Sequence, residues 1–473
     1  MDLKADGRPA NWRDIAFKAI LVAGSILVIY LSATRNPRTS AWEVIRTLPF
    51  GVALLTAGSV YAGLCAAWST WRLILAIRYR ATPIAEWAAL PRISVIVPVY
   101  NEAALISNTL RSLSRAKYPS ERLEIIVVDD GSTDGSWTQI QRAAEMDGRI
   151  RPLRLPVNQG KRHALHEGFR HTSGDVWVTV DSDSLIEPDA LRAIVSPMIA
   201  DPSVGAVAGN VRVLNKADGL IPLMLDVRYV MTFDYKRAAQ SMMDGGSVLC
   251  VAGALAAYRR AAVEPHLKEW LHQRWLGRPA RAGEDHAMTN LALRNAFKVR
   301  YQRSAVVRTM SPTTYHGIAR MFLRWGRSNV RETFELGRHL VAAPRFFDRP
   351  AMTLNYIMGA VGLFLPYAFL AVTLAMALVW PVTFGLKLLA ACVSSSLFPI
   401  LFYAAFRRSS DALYAIAYSL YSTLLLSWVW PWALVTSHKS VWMTRGSAPP
   451  LSSGHGMAPS PVHAPIAPAG LPV

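Results

Sequence analysis

The chain has 473 residues, too many for one small domain, with 52% hydrophobic residues and a mean hydropathy of +0.21. The apolar residues gather at both ends around a middle of ordinary globular composition, which excludes a simple soluble protein and implies a membrane protein with an inserted soluble domain. The net charge of +19 suits the basic flanks of membrane segments and anionic sugar nucleotides, no nucleic-acid module is present, and Cys65, Cys250 and Cys392 are too scattered for a metal cluster or a disulfide framework.

Residues 1–14 are polar, and 15–80 holds two apolar stretches, Ile15–Ala33 and Leu48–Leu75. A bilayer core takes about 20 residues, so each is long enough to span it. No small-residue cleavage site follows the first, and a second span comes directly after, so a removable signal peptide is not expected. Arg72, Arg78 and Arg80 close the second stretch and put the following domain in the cytoplasm, beneath the cell (inner) membrane.

From Pro91 to about Thr309 strands and helices alternate. Ile93–Val97, Ile125–Val128 and Val176–Val180 are short runs rich in β-branched residues, and with the helical patterns between them they make a βαβαβ series. That predicts an α/β domain over 91–310 with a mostly parallel sheet covered on both faces. Neither GxGxxG nor a Walker loop is present.

Thr313–Leu336 is basic and amphipathic, with Ile318, Met321, Phe322, Trp325 and Val330 among arginines, which predicts an interfacial helix within 311–347. The region 351–437 holds Met352–Trp380 and Phe384–Phe406 as spans and Leu413–Val435 as a third span or an interfacial segment. The Pro-, Ala-, Gly- and Ser-rich tail 447–473 is expected to be disordered.

Val176–Val180 runs into Asp181-Ser182-Asp183. In an extended chain residues i and i+2 point to one side, so two carboxylates project together from the tip of a core strand. Open α/β sheets bind ligands there, and two hard oxygen donors suit a divalent cation holding a diphosphate. Tyr100-Asn101-Glu102 closes the first strand and Asp129-Asp130-Gly131-Ser132 the second; such groups can take the donors of a uracil ring and ribose hydroxyls. Asn158-Gln159-Gly160-Lys161-Arg162 offers a glycine turn and cations to phosphate. Each string alone is also what a helix cap, turn or loop looks like.

Taken in order, PVYNE, VVDDGS, NQGKRHAL, SGDVWVTVDSDS, GEDHAMTN and RWGRS resemble glycosyltransferase family 2, enzymes of the GT-A fold that use nucleotide sugars. RAAQS at 237–241, CVAGALAAYRR at 250–260, RWGRSNVRETF at 324–334 and WMTRG at 442–446 are similar to its processive membrane branch, the hyaluronan and chitin-oligosaccharide synthases. The resemblance implies a GT-A domain inserted between membrane helices. It implies a UDP-sugar donor held by Tyr100, Asn101, Glu102, Asp130, Lys161, Asp181, Asp183 and Arg324. Asp181 and Asp183 would sit by Mg2+ or Mn2+, with Asp183 as the direct ligand. Asp285 would be the general base beside Glu284, Trp325 would stack under the acceptor sugar, and Trp442 and Arg445 would form a gate.

The implied activity is polymerisation of UDP-N-acetylglucosamine, alone or with UDP-glucuronate, onto a growing polysaccharide that leaves through the membrane; the alternatives are a chitin-oligosaccharide synthase, a β-glucan synthase or a non-processive transferase acting on a lipid acceptor. Two departures, Met321 before the Arg-Trp pair and Ala252-Gly253-Ala254 after the cysteine, touch the acceptor side. A cytoplasmic Trp442 requires an even number of crossings after the domain, which favours an interfacial Leu413–Val435.

Overall fold

The computed structural model describes residues 12–34, 45–342 and 349–439. Its centre is one eight-stranded sheet of β1 (Ile93–Val99), β2 (Leu123–Asp129), β3 (Ile150–Arg154), β4 (Val176–Val180), β5 (Ser184–Ile186), β6 (Val204–Val213), β7 (Leu255–Arg259) and β8 (Lys298–Thr309). The strand order is β3-β2-β1-β4-β7-β6-β8-β5. β1 and β4 read ISVIVPV and VWVTV and are buried at every position. Continuous Val and Ile runs of this kind belong to strands covered on both faces.

The parallel expectation holds for four of the seven strand pairings, β6 with β8 among them. β1 pairs in parallel with β2 and β4, and β2 with β3. β7 instead lies antiparallel between β4 and β6, and β5 runs antiparallel to β8, so the sheet is mixed. A buried strand has the same apolar pattern in either direction, so direction is invisible to periodicity. β3, which is not among the strands expected from the sequence, carries Pro152 and occupies the sheet edge, where proline is tolerated.

Among the described residues, four helices are long and apolar enough to cross a membrane: Trp12–Thr34, Gly51–Arg78, Pro350–Val379 and Leu386–Arg407. Ser410–Leu425 and Val429–Val435 form a fifth apolar unit bent by 47°. Buried polar contacts fasten this set to the sheet domain. Tyr403 donates to Asp226 Oδ2 at 2.6 Å, Arg407 Nη2 to Asp234 Oδ2 at 3.1 Å, and Asn355 Nδ2 to the Ser247 carbonyl at 3.1 Å. The amphipathic segment is one 28-residue helix, Tyr315–Ala342, hereafter the interface helix. It packs on the bent unit, where Arg327 Nε donates to Thr436 Oγ1 at 3.0 Å.

Candidate active site

β1, β2 and β4 are parallel neighbours, so the loops after them share one edge of the sheet. Those loops are locked together. Asn101 does not open a helix; it adopts a left-handed φ of 52°, its backbone N–H donates to Ser132 Oγ at 3.0 Å, and its Oδ1 accepts from Thr133 N at 2.9 Å. Glu102 N donates to Ser136 Oγ at 2.8 Å, and Tyr100 stands half-buried at the end of β1. Asp130 is buried, and its two oxygens accept from Gln159 N at 2.8 Å and Gly160 N at 2.7 Å. It therefore anchors the loop that presents Lys161. Burial pushes its carboxyl above the ordinary range even against those two amide donors.

Lys161 opens the helix Lys161–Arg170 and sits between two carboxylates remote in sequence. Its Nζ lies 2.6 Å from Asp181 Oδ1 and 2.9 Å from Glu284 Oε1. Desolvation alone would favour neutral amine, but the Asp181 and Glu284 charges outweigh it and keep the ammonium firmly protonated. Glu284 is buried, which pushes its carboxyl up, yet the Lys161 cation holds it down at about 2. Arg324 on the interface helix acts on Glu284 in the same sense.

Asp285 follows Glu284 at the start of the helix Glu284–Arg294, and its Oδ2 accepts from Gly253 N at 3.1 Å. Burial and the adjacent Glu284 carboxylate push it above the usual carboxylate range, opposed by Lys161. A carboxyl with a raised proton affinity, one residue from a carboxylate held ionised, is what a general base requires. Gly253 forms the floor: a Cβ there would meet Lys161 Nζ at 3.2 Å, Asp181 Oδ1 at 3.7 Å and Asp285 Cβ at 3.8 Å. The departure at 252–254 therefore keeps glycine at a position where a side chain would press on Lys161.

Asp183 stands two residues beyond Asp181, and its Oδ1 accepts from Thr309 Oγ1 at 3.1 Å and Ser184 Oγ at 3.2 Å. No group of three or more His, Cys, Asp or Glu able to hold a metal occurs among the described residues. Two carboxylates from one strand tip still fit Mg2+ or Mn2+, because such ions take one or two carboxylates and complete their shell with water and substrate phosphate. Trp325 is half-buried against the core, with its ring 5.6 Å from that of Phe322. Trp442 and Arg445 lie outside the described residues.

Sequence reasoning missed a buried polar group behind the site. Arg331 and Glu332 on the interface helix are each 1% exposed, and Arg331 Nε donates to Glu332 Oε1 at 2.8 Å. Gly283, at φ 79°, leaves no space for a side chain: a Cβ would fall 1.8 Å from Ser328 Oγ. The loop carrying Glu284 and Asp285 thus rests directly on the interface helix. Their only sequence signal was the RETF string itself, which reads as part of a solvated amphipathic face.

A cavity of about 130 Å³ separates the sheet domain from the helix Pro350–Val361; Lys236, Arg237, Gln240, His286, Asn329 and Tyr356 are among its lining residues. Arg237 is buried, and its Nη1 has no hydrogen-bond partner among the described residues. The charged side chains acting on Lys236 include the cations Arg72, Arg237 and Arg228.

A family model described as glycosyl transferase family 2 matches residues 94–267. An N-acetylglucosaminyltransferase of Sinorhizobium fredii (strain NBRC 101917 / NGR234) is 32% identical over 421 residues, spanning 87% of this chain and 98% of the relative. A hyaluronan synthase of Streptococcus pyogenes is 31% identical over 276 residues, 57% of this chain and 63% of the relative. Among solved structures, a mannosyltransferase from Pyrobaculum calidifontis in complex with GDP-Man and Mn2+ is 24% identical, covering 79% of this chain and 97% of that one, at a TM-score of 0.48.

Proposed function

The chain belongs to glycosyltransferase family 2, in its processive branch, and on that premise we propose that it polymerises N-acetylglucosamine from UDP-N-acetylglucosamine with inversion, at the cytoplasmic face of the cell (inner) membrane. The observation that carries the reading is the meeting of Lys161, Asp181, Glu284 and Asp285, from three distant segments, at the tip of β4.

The uridine lies against the loops after β1 and β2, with Tyr100, Asn101 and Glu102 around it and Asp130 holding the phosphate loop in place. Lys161 and Arg324 face the diphosphate with positive charge. A Mg2+ or Mn2+ ion held by Asp181 and Asp183 would neutralise the charge that grows on the leaving UDP. Trp325 stacks under the acceptor sugar. Asp285 accepts the proton of the acceptor hydroxyl as that oxygen bonds to C1 of the donor sugar and the C1–O bond to UDP breaks, its electron pair leaving with UDP. One base on the face opposite the leaving group turns an α-linked donor into a β-linked product. The four apolar helices seat the domain among membrane lipids and give the polymer its way out.

One observation favours a second reading in which UDP-glucuronate alternates with UDP-N-acetylglucosamine. Lys236 and Arg237, whose Nη1 has no hydrogen-bond partner among the described residues, line a cavity beside His286, the neighbour of the base. Two cations there suit a carboxylate on the nascent chain.

Purified protein offered each UDP-sugar in turn, with UDP release and product length followed, tests both readings. Long products from UDP-N-acetylglucosamine alone support the first, and elongation only when UDP-glucuronate is added supports the second. One sugar per lipid acceptor would end the polymer reading, and release from neither donor would end the donor assignment.

A further inference from the structure

Three segments that the reaction needs in register meet at one carboxylate. Glu332 is 1% exposed and carries no role in the transfer derived above. Its Oε1 accepts from Arg331 Nε at 2.8 Å and from Gln273 Nε2 at 3.1 Å, and its Oε2 accepts from Asn290 Nδ2 at 3.0 Å. Asn290 Nδ2 also donates to the Glu332 carbonyl at 3.0 Å, so side chain and backbone are both clamped to the helix that begins with Glu284 and Asp285.

Arg331 continues the connection: its Nη2 donates to the Ala282 carbonyl, directly before the Gly283 turn. On the donor side, Arg162, next to Lys161, is buried and donates through Nη1 to the Trp270 carbonyl at 2.6 Å and to Gln273 Oε1 at 2.9 Å. Trp270 Nε1 in turn donates to the Glu284 carbonyl at 3.1 Å. Glu332 lies seven residues beyond Trp325, two turns along the same face of one helix.

A fully buried charge pair is an expensive way to fasten two helices, since apolar packing of equal volume does as well or better for stability. What a polar network centred on one multiply bonded carboxylate supplies instead is one arrangement in place of several. We propose that Glu332 is a positioning residue that holds the interface helix, with its acceptor-stacking tryptophan, in fixed register with the helix bearing the base. The acceptor hydroxyl then meets Asp285 when the donor is activated. Without that register the activated donor is attacked by water instead, and UDP leaves without chain growth.

The inference rests on the transferase reading above, and its test separates the two. Full-length protein in lipid nanodiscs is given UDP-N-acetylglucosamine with a chitin-oligosaccharide acceptor, and UDP release and sugar transfer are measured side by side with thermal melting. Glu332→Gln is expected to lower transfer roughly tenfold or more, by loss of charge-assisted hydrogen bonds. KM for the donor stays within about twofold, and the share of UDP released without transfer rises.

The conservative substitution Glu332→Asp keeps a carboxylate in the cluster and leaves the Asn290 bond to the residue-332 carbonyl in place, and it is expected to regain transfer and coupling together. It also keeps one buried anion opposite Arg331, so it covers the case in which Glu332→Gln does not fold. UDP release and transfer falling in equal proportion in Glu332→Gln, or uncoupling that Glu332→Asp does not reverse, overturns the positioning role. Absence of UDP release from the unaltered protein overturns the transferase reading itself.

Discussion

Lys161 Nζ lies 2.6 Å from Asp181 Oδ1, although twenty residues and a whole helix separate them in the chain. The same ammonium holds Glu284 at 2.9 Å. Lys161→Met leaves two facing carboxylates with no cation between them, the costly half of a broken buried pair. The expected result is a loss of about 100-fold or more in kcat with UDP-N-acetylglucosamine, with weakened UDP binding seen by calorimetry. Retention of wild-type turnover would remove Lys161 from the donor site.

The base carries a pH signature. Asp285 acts as its carboxylate, so activity is present above its pKa and lost as pH falls through it. Burial and Glu284 raise that pKa, so the acid limb of kcat/KM is expected above the ordinary aspartate value of 3.8. Glu284→Gln removes the neighbouring negative charge and should move the limb to lower pH. Asp285→Asn should cost about 100-fold to 10,000-fold in transfer while UDP still binds.

Space beneath the site is as restrictive as charge. Gly253→Val places branched carbon where Lys161 Nζ already lies 3.2 Å from the nearest possible Cβ. A shift of about 1 Å in a catalytic group can cost about 100-fold, so kcat/KM should fall by that order, with the melting temperature little changed. An active valine variant would mean that the loop 250–254 moves aside in the working enzyme.

Metal dependence can be read both in turnover and in binding. Chelation with EDTA should abolish UDP release, and Mn2+ or Mg2+ should restore it. Asp183→Asn should weaken UDP-dependent Mn2+ binding measured by electron paramagnetic resonance. Unchanged Mn2+ binding in that variant would assign the ion to other residues.

Much of the fold was legible before any coordinates. The buried runs at 93–99, 123–129 and 176–180 announce themselves because a strand covered on both faces has no polar alternation. The edge strand at 150–154 did not, because Pro152 and its two arginines carry the marks of a loop. The reversed β7 was hidden for a different reason, since residue order within a strand does not record which way it enters a sheet.

By itself the sequence determined which groups were available: an Asp-x-Asp at the end of a core strand, a Glu-Asp pair opening a helix, an Arg-Trp pair on an amphipathic one. Those patterns act over a few residues, where covalent geometry dictates spacing. Only the tertiary structure decided that Lys161 joins Asp181 to Glu284, that Gly253 is the floor between them, and that Arg331 and Glu332 face inward. An Arg-Glu pair on a basic helix looks solvated in the text. Burial is a property of what packs against it, and those partners lie 49 and 42 residues away at Ala282 and Asn290.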